Sequence, residues 1–193
     1  MSCLIGKLAP HFNVKAVEGD KMLDELSLSQ FLGKYVILFF YPLDFTFVCP
    51  TELHAFQAAF PEFQKRNAAL IGCSVDSSYS HYAWLSCPKQ KGGIQGVTYP
   101  IISDLNKEIA KKYQVLNEEE GVAYRGLFLI DQKGIIRHQL INDLSLGRST
   151  SEILRLLDAL IFHEQNGDVC PANWEKGDKG MQASQDGLLK YFN

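Results

Sequence analysis

The stretch from Tyr35 to Phe63 limits the possible folds more than any other. Residues 35–41 are uninterruptedly apolar or aromatic and rich in Val, Ile and Phe. A strand of this kind has no wet face, so it belongs inside a sheet covered on both sides. Beyond Tyr41-Pro42-Leu43-Asp44-Phe45-Thr46-Phe47-Val48-Cys49-Pro50-Thr51-Glu52, apolar residues recur at Leu53, Phe56, Phe60 and Phe63 with helical spacing. A second apolar run covers 68–75. Strand, helix, strand is a βαβ unit, whose ligand site lies at the carboxyl end of the first strand. Cys49 falls there. Pro50 directly after it suits the first helical position, where a missing N–H costs nothing. The sulfur is therefore expected at a helix N-terminus, where orphan N–H groups and the positive dipole end favour negative charge.

The rest of the chain supplies partners for this unit. Segments 12–17 and 21–26, split by Glu18-Gly19-Asp20, read as a peripheral hairpin, and 28–32 as a helical turn stopped by Gly33. A helix is expected over 49–66, with Pro61 as a candidate kink. Residues 78–85 read as a short helix and 98–102 as a short strand. Asp104 is placed to cap a helix carrying Leu105, Ile109 and Tyr113. Asn117-Glu118-Glu119-Glu120-Gly121 is an acidic turn with no metal-ligand spacing. Segments 124–130 and 135–141 flank Asp131-Gln132-Lys133-Gly134 as a hairpin. Arg125 stands at the start of its first strand, ordinarily an exposed position. Ser149 to Glu152 form a capping box ahead of Ile153, Leu156, Leu157, Leu160 and Ile161. From about Gln165 the chain becomes polar and glycine-bearing. Such an arm, which carries Cys170, cannot make its own core and is expected to pack on another surface, most simply a second copy of the chain.

Composition removes several functional classes. With 46% hydrophobic and 21% charged residues the chain is an ordinary folded protein, and 193 residues suit one domain with an appendage. A net charge of −3 and a pI near 5.9 give no basic footprint for nucleic acid. No apolar run approaches the roughly 20 residues of a membrane span, and the N-terminus lacks the pattern of a secretory signal. The five cysteines, at 3, 49, 73, 87 and 170, are odd in number and never in C-x-x-C spacing. That argues against a zinc knuckle, a thioredoxin-type dithiol and a secreted disulfide framework, and for a reduced, cytoplasmic protein. Cys73, inside the second strand, is expected in the core, and His54 is expected to face solvent.

Pro42, Thr46 and Cys49 stand in the order Pro-x-x-x-Thr-x-x-Cys. With the flanking Phe40-Tyr41-Pro42 and Val48-Cys49-Pro50-Thr51-Glu52, this resembles the active-site motif of the typical two-cysteine peroxiredoxins. The likeness runs from about Leu4 to Phe192. It includes Tyr124-Arg125-Gly126-Leu127-Phe128-Leu129-Ile130-Asp131, similar to the segment bearing that family's active-site arginine. It also includes Gly167-Asp168-Val169-Cys170-Pro171-Ala172-Asn173-Trp174, similar to its resolving-cysteine segment. The resemblance implies an α/β, thioredoxin-like fold with a mixed central sheet flanked by helices. It implies a peroxidase domain over 4–161 and a C-terminal arm over 162–193. Cys49 is then the peroxidatic nucleophile and Cys170 the resolving thiol, reached across an antiparallel homodimer that assembles further into decameric rings. Thr46 and Arg125 become donors to the reacting oxygen, and Pro42 a shield of the sulfur. Glu52 becomes an orienting carboxylate, its plainer alternative being a helix-dipole role, and Arg148 a second arginine near the site. No metal or organic cofactor is implied. The partners are hydrogen peroxide or alkyl hydroperoxides and thioredoxin or another dithiol, with no nucleic acid and no membrane.

The implied chemistry sets its own demands. A free thiol near pKa 8.5 is about 3% ionised at neutral pH, and a helix-end thiol near 6 about 90%. The gain is only about 30-fold, and the weaker base is the poorer nucleophile. A fast peroxidase therefore needs donors aimed at the oxygen that leaves as the O–O bond breaks. Rival readings are a peroxide-switched holdase or signalling protein, a disulfide oxidoreductase on the same fold, and a zinc module. Relatives easily inactivated by excess peroxide carry Gly-Gly-Leu-Gly and a C-terminal Tyr-Phe. Here Tyr191-Phe192 is present, but the loop reads Gly92-Gly93-Ile94-Gln95, and glutamine in place of glycine is expected to strain or reposition it. Intermediate sensitivity is therefore expected: mass spectrometry of Cys49 under graded peroxide should find sulfinate only at intermediate doses, and sulfinate at the lowest doses would contradict this.

Overall fold

A computed structural model describes residues 3–193. The buried run becomes strand β3 (Tyr35–Phe40), every residue of which is buried. Around it lie β1 (Asn13–Glu18), β2 (Lys21–Ser27), β4 (Ala68–Ser74), β5 (Ile101–Ser103), β8 (Arg125–Ile130) and β9 (Ile136–Asn142), in the order β2-β1-β5-β4-β3-β8-β9. β3 runs parallel to β4, β4 parallel to β5, and the remaining pairs are antiparallel. This is the mixed central sheet that the resemblance implies. The pair β6 (Leu116–Asn117) and β7 (Val122–Ala123) closes the acidic turn, where the Asn117 side-chain oxygen accepts from the Glu119 and Glu120 amides.

Helix α1 (Cys49–Lys65) joins β3 to β4 and buries Cys49, Glu52, Leu53, Phe56 and Phe63, a single face at helical spacing. Pro61 lies inside α1 without ending it. Helix α2 (Ser78–Ser86) is capped by Ser77 and presents His81, Trp84 and Leu85 inward. Helix α3 (Glu108–Lys112) is shorter than expected. Lys107 sits at its N-cap with φ 63°, while the Asp104 carboxylate accepts from the Ile109 and Ala110 amides. Asp104 thus caps from a turn upstream, and Leu105 is exposed rather than facing inward. Strand β5 likewise begins later than expected, at Ile101.

Topology fixes what meets the end of β3. Because β8 is antiparallel to β3, with Leu127 opposite Phe39, the first residue of β8 lies beyond the carboxyl end of β3. Arg125 is that residue. Gly126 follows it because a side chain there would collide with Val115, its Cβ falling 2.5 Å from a Val115 methyl.

The chain divides into one compact unit ending at Arg148 and a second spanning Ser149–Asn193. In the second, α4 (Thr150–Asn166) is capped by the Ser149 hydroxyl, and the chain then turns back on it. Val169 bridges Met181, Trp174 packs on Phe162 at 4.9 Å, and Arg155 donates to the Trp174 carbonyl. Helix α5 (Gln185–Phe192) completes the unit. The boundary expected at 161/162 therefore falls inside α4. The apolar face of that helix recruits the arm, which periodicity alone does not show. Among the described residues no helix is long and apolar enough to cross a membrane.

Candidate active site

Cys49 opens α1 as its first helical residue, with Pro50 in the second position and Val48 as a cap without a side-chain hydrogen bond. At this end of α1 Pro50 has no N–H, and the Thr51 and Glu52 amides donate to the Val48 carbonyl at 3.1 and 3.2 Å, leaving the Cys49 N–H as the helix-start donor beside the sulfur. The cysteine is buried, yet it is not in purely apolar surroundings: Nη1 of Arg125 lies 3.4 Å from Sγ. The same Nη1 donates to Glu52 Oε2 at 2.7 Å, and Nε of Arg125 donates to the Leu144 carbonyl at 2.7 Å. The arginine that strand position alone would leave exposed is 3% accessible. It is held from two sides with one edge against sulfur.

Glu52 organises this corner. Its Oε1 accepts from the Arg148 backbone N–H at 2.9 Å and from Arg148 Nε at 2.7 Å. Its Oε2 accepts from Arg148 Nη2 at 2.8 Å as well as from Arg125. Arg148 Nη1 donates to the Gly126 carbonyl. The Arg148 guanidinium also lies 5.3 Å from the Phe39 ring centroid, and Phe39 stacks on Phe56 at 4.3 Å. Such a cation over an aromatic face is favourable, more so when desolvated. Every donor to Glu52 is an N–H, so both oxygens act purely as acceptors, the behaviour of an ionised carboxylate. Glu52 therefore does more than complement a dipole, and Arg148 touches the carboxylate rather than the sulfur.

The loop between β3 and α1 carries the remaining expected residues. Pro42 is buried at its start. The half-buried Thr46 hydroxyl donates to the Leu43 carbonyl at 2.8 Å, so its hydrogen serves the loop rather than the sulfur in this arrangement. Phe45 adopts φ 55°. A bulky residue in the left-handed region costs about 1–3 kcal/mol and persists only where its surroundings hold it. His54 is half-buried rather than solvent-facing, with Nε2 3.0 Å from the Gly93 carbonyl. Gln95 is exposed and absent from the positive-φ positions, the following Gly96 taking φ 95°, so the expected strain of that loop does not arise.

The comparisons with known proteins agree. The model of the AhpC/TSA family matches residues 5–139, and that of the C-terminal domain of 1-Cys peroxiredoxin matches 159–193. A thioredoxin peroxidase of Echinococcus granulosus is 50% identical, with all of both chains covered. An alkyl hydroperoxide reductase C of Helicobacter pylori is 50% identical over 98% of this chain and 96% of its own. The crystal structure of reduced Plasmodium vivax 2-Cys peroxiredoxin superposes with a TM-score of 0.96 at 49% identity, covering 99% of each chain. The chain belongs to the AhpC/TSA family of peroxiredoxins. It is a peroxidase with the thioredoxin-like fold of that family.

In this peroxiredoxin all five cysteines are free. Cys170 is half-buried, its thiol 3.4 Å from the Ala159 carbonyl of α4. Partial burial pushes that thiol up, against a smaller opposing pull from Arg155. Cys73 is fully buried, and desolvation raises its thiol well above the ordinary range, in keeping with a core role. Among the described residues no group of three or more His, Cys, Asp or Glu is placed to hold a metal ion.

Sequence reading missed the Asp44–His81 pair, in which Nδ1 lies 2.8 Å from Oδ2 with both side chains buried. The two residues are far apart in the chain, and only an aspartate inside a motif loop hinted at a buried partner. Neutralising Glu52 tests the organisation of the corner. Glu52→Gln leaves two buried guanidiniums without a counter-charge, a change that costs about 3–5 kcal/mol. Urea unfolding should show that loss, and stopped-flow kinetics should show peroxide reacting at least about tenfold more slowly. Wild-type stability in the variant would refute the arrangement.

Proposed function

We propose that this peroxidase reduces hydrogen peroxide and alkyl hydroperoxides through Cys49 and is recycled by a protein dithiol of the thioredoxin type. The observation that carries the proposal is the guanidinium of Arg125, fixed by Glu52 and Leu144 with one edge 3.4 Å from the Cys49 sulfur. The Cys49 thiolate attacks one peroxide oxygen. The S–O bond forms as the O–O bond breaks, and the leaving oxygen departs as hydroxide or alkoxide and takes up a proton. Arg125 and the Cys49 N–H at the start of α1 stabilise the charge that develops there. Rotation about the Thr46 C–O bond turns its hydroxyl from the Leu43 carbonyl toward the bound peroxide. Pro42 keeps bulk water from the sulfur.

The product is a cysteine sulfenic acid. It condenses with the Cys170 thiol of a second copy of the chain, giving a disulfide and water. The external dithiol then reduces this disulfide by two exchange steps and is itself oxidised. The half-buried Cys170 thiol must leave its contact with Ala159 before it can react. The oligomer is proposed as a homodimer that assembles into a decameric ring. The ring size rests on the family resemblance alone; a Plasmodium yoelii Prx1a modified at its N-terminus forms an artifactual octamer, an assembly of another size. A cytoplasmic location is proposed on the odd number of cysteines, all of them free.

Cys49→Ser is expected to abolish peroxide consumption. Cys170→Ser should still consume one equivalent but not turn over with a protein dithiol. Non-reducing electrophoresis after one equivalent of peroxide should show linked dimers in the wild type and in neither variant. Linked dimers in Cys170→Ser would break the assignment of the resolving thiol.

A further inference from the structure

Helix α2 reaches the loop that delivers Cys49 at three points. Trp84 packs against Tyr41 and Phe45, with ring centroids 5.9 and 5.8 Å apart. His81, one turn earlier and fully buried, meets Asp44. The surroundings of His81 leave little freedom. Its Nε2 lies 3.3 Å from the Ile102 carbonyl, which only accepts, so Nε2 carries a hydrogen. Its Nδ1 lies 2.8 Å from Asp44 Oδ2. With no hydrogen between those two atoms, lone pair would face lone pair. One proton is therefore shared there, whichever partner holds it.

Asp44 is engaged from every direction. The Tyr41 hydroxyl donates to its Oδ1 at 2.8 Å and lies 3.4 Å from His81 Nδ1. Burial, and after it Asp44, push that hydroxyl well above its ordinary value, so it remains a donor. The Asp44 amide donates to Asp76 Oδ2 at 2.9 Å, and Ser74 donates to the same oxygen at 2.7 Å. The ionisable groups facing His81 are thus Asp44, Tyr41 and, one step removed, Asp76. Asp44 is also the last fixed point before the left-handed turn at Phe45, whose side chain is largely exposed. Past that turn lie Thr46, Val48 and the sulfur.

We propose that His81 is a positioning residue for the peroxide reaction: through the proton it shares with Asp44 it pins the 41–48 loop and so aims Cys49 and the donors around it. It touches neither substrate nor sulfur. The inference rests on Cys49 being the sulfur that meets peroxide. Asn and Gln at position 81 separate the two ring nitrogens. Asparagine carries its N–H near the position of Nδ1 and keeps the link to Asp44. Glutamine carries it near Nε2 and keeps only the link to Ile102.

Two rates are compared at Cys49 in the full chain, read by mass spectrometry: oxidation by hydrogen peroxide and alkylation by iodoacetamide. Alkylation needs an accessible thiolate but no donors aimed at a leaving oxygen. His81→Gln is expected to slow oxidation about tenfold or more, since small misplacements of a reacting group are costly. His81→Asn should stay within about threefold of wild type, and alkylation within about twofold in both. Asp44→Ser, which removes the same link from the loop side, should behave as His81→Gln. Oxidation at the wild-type rate in His81→Gln and Asp44→Ser overturns the proposal, as does equal slowing in the Asn and Gln variants. Loss of both rates together with the cooperative thermal transition makes the pair a folding element and overturns it too. Wild-type Cys49 reacting with peroxide no faster than free cysteine would strike the peroxidase reading instead.

Discussion

Everything around the sulfur depends on one buried carboxylate serving two guanidiniums. Arg125 and Arg148 contribute two positive charges and Glu52 one negative charge, all three groups nearly or wholly excluded from water. The corner is therefore left with one positive charge in excess, beside the positive end of α1. Charges buried in this way are costly unless paired. Beyond Glu52 and the Leu144 carbonyl, each 2.7 Å from Arg125, the group against this guanidinium is the Cys49 sulfur at 3.4 Å. In the reaction proposed above, negative charge on that sulfur would balance the cluster, and as the O–O bond breaks the same surplus would be available to the leaving oxygen, with the cation already in place.

The sheet makes that arrangement rigid. Glu52 comes from the first turn of α1, Arg125 from the first residue of β8, and Arg148 from the end of the segment after β9. β8 pairs with β3 on one edge and β9 on the other, with Arg125 opposite Asn142. A one-residue slip of β8 would turn Arg125 to the opposite face of the sheet. The stacked Phe39 and Phe56 beneath Arg148 extend the same logic into the apolar layer. The site is thus mounted beside two strands, β3 and β8, that are buried along their whole length.

Much of this was legible in the chain. The buried β3, the helix beginning at Cys49, the hairpin carrying Arg125 and the capping box at Ser149 follow from periodicity and local chemistry, because each depends on residues near in sequence. That Arg125, Arg148 and Glu52 meet beside Cys49 needed the family likeness, since strand position alone favours an exposed arginine. Other features stayed hidden because tertiary contacts decide them. His54 finds the Gly93 carbonyl, Asp104 caps from upstream of a left-handed Lys107, and the C-terminal arm packs back on α4 through Trp174 and Phe162. Gln95 escapes strain because Gly96 takes the left-handed conformation. The Asp44–His81 pair is the clearest case, joining a loop to a helix with only the motif-loop aspartate to hint at it.

The most direct test of this account is the rate constant for oxidation of Cys49 by hydrogen peroxide in Arg125→Met, measured by stopped flow beside the wild type. The substitution keeps the apolar length of the side chain and leaves Glu52 paired with Arg148, while removing the cation at the sulfur. The account requires a fall of about 100-fold or more, the scale of losing one donor to developing charge, with circular dichroism unchanged. A rate within about twofold of wild type would contradict it.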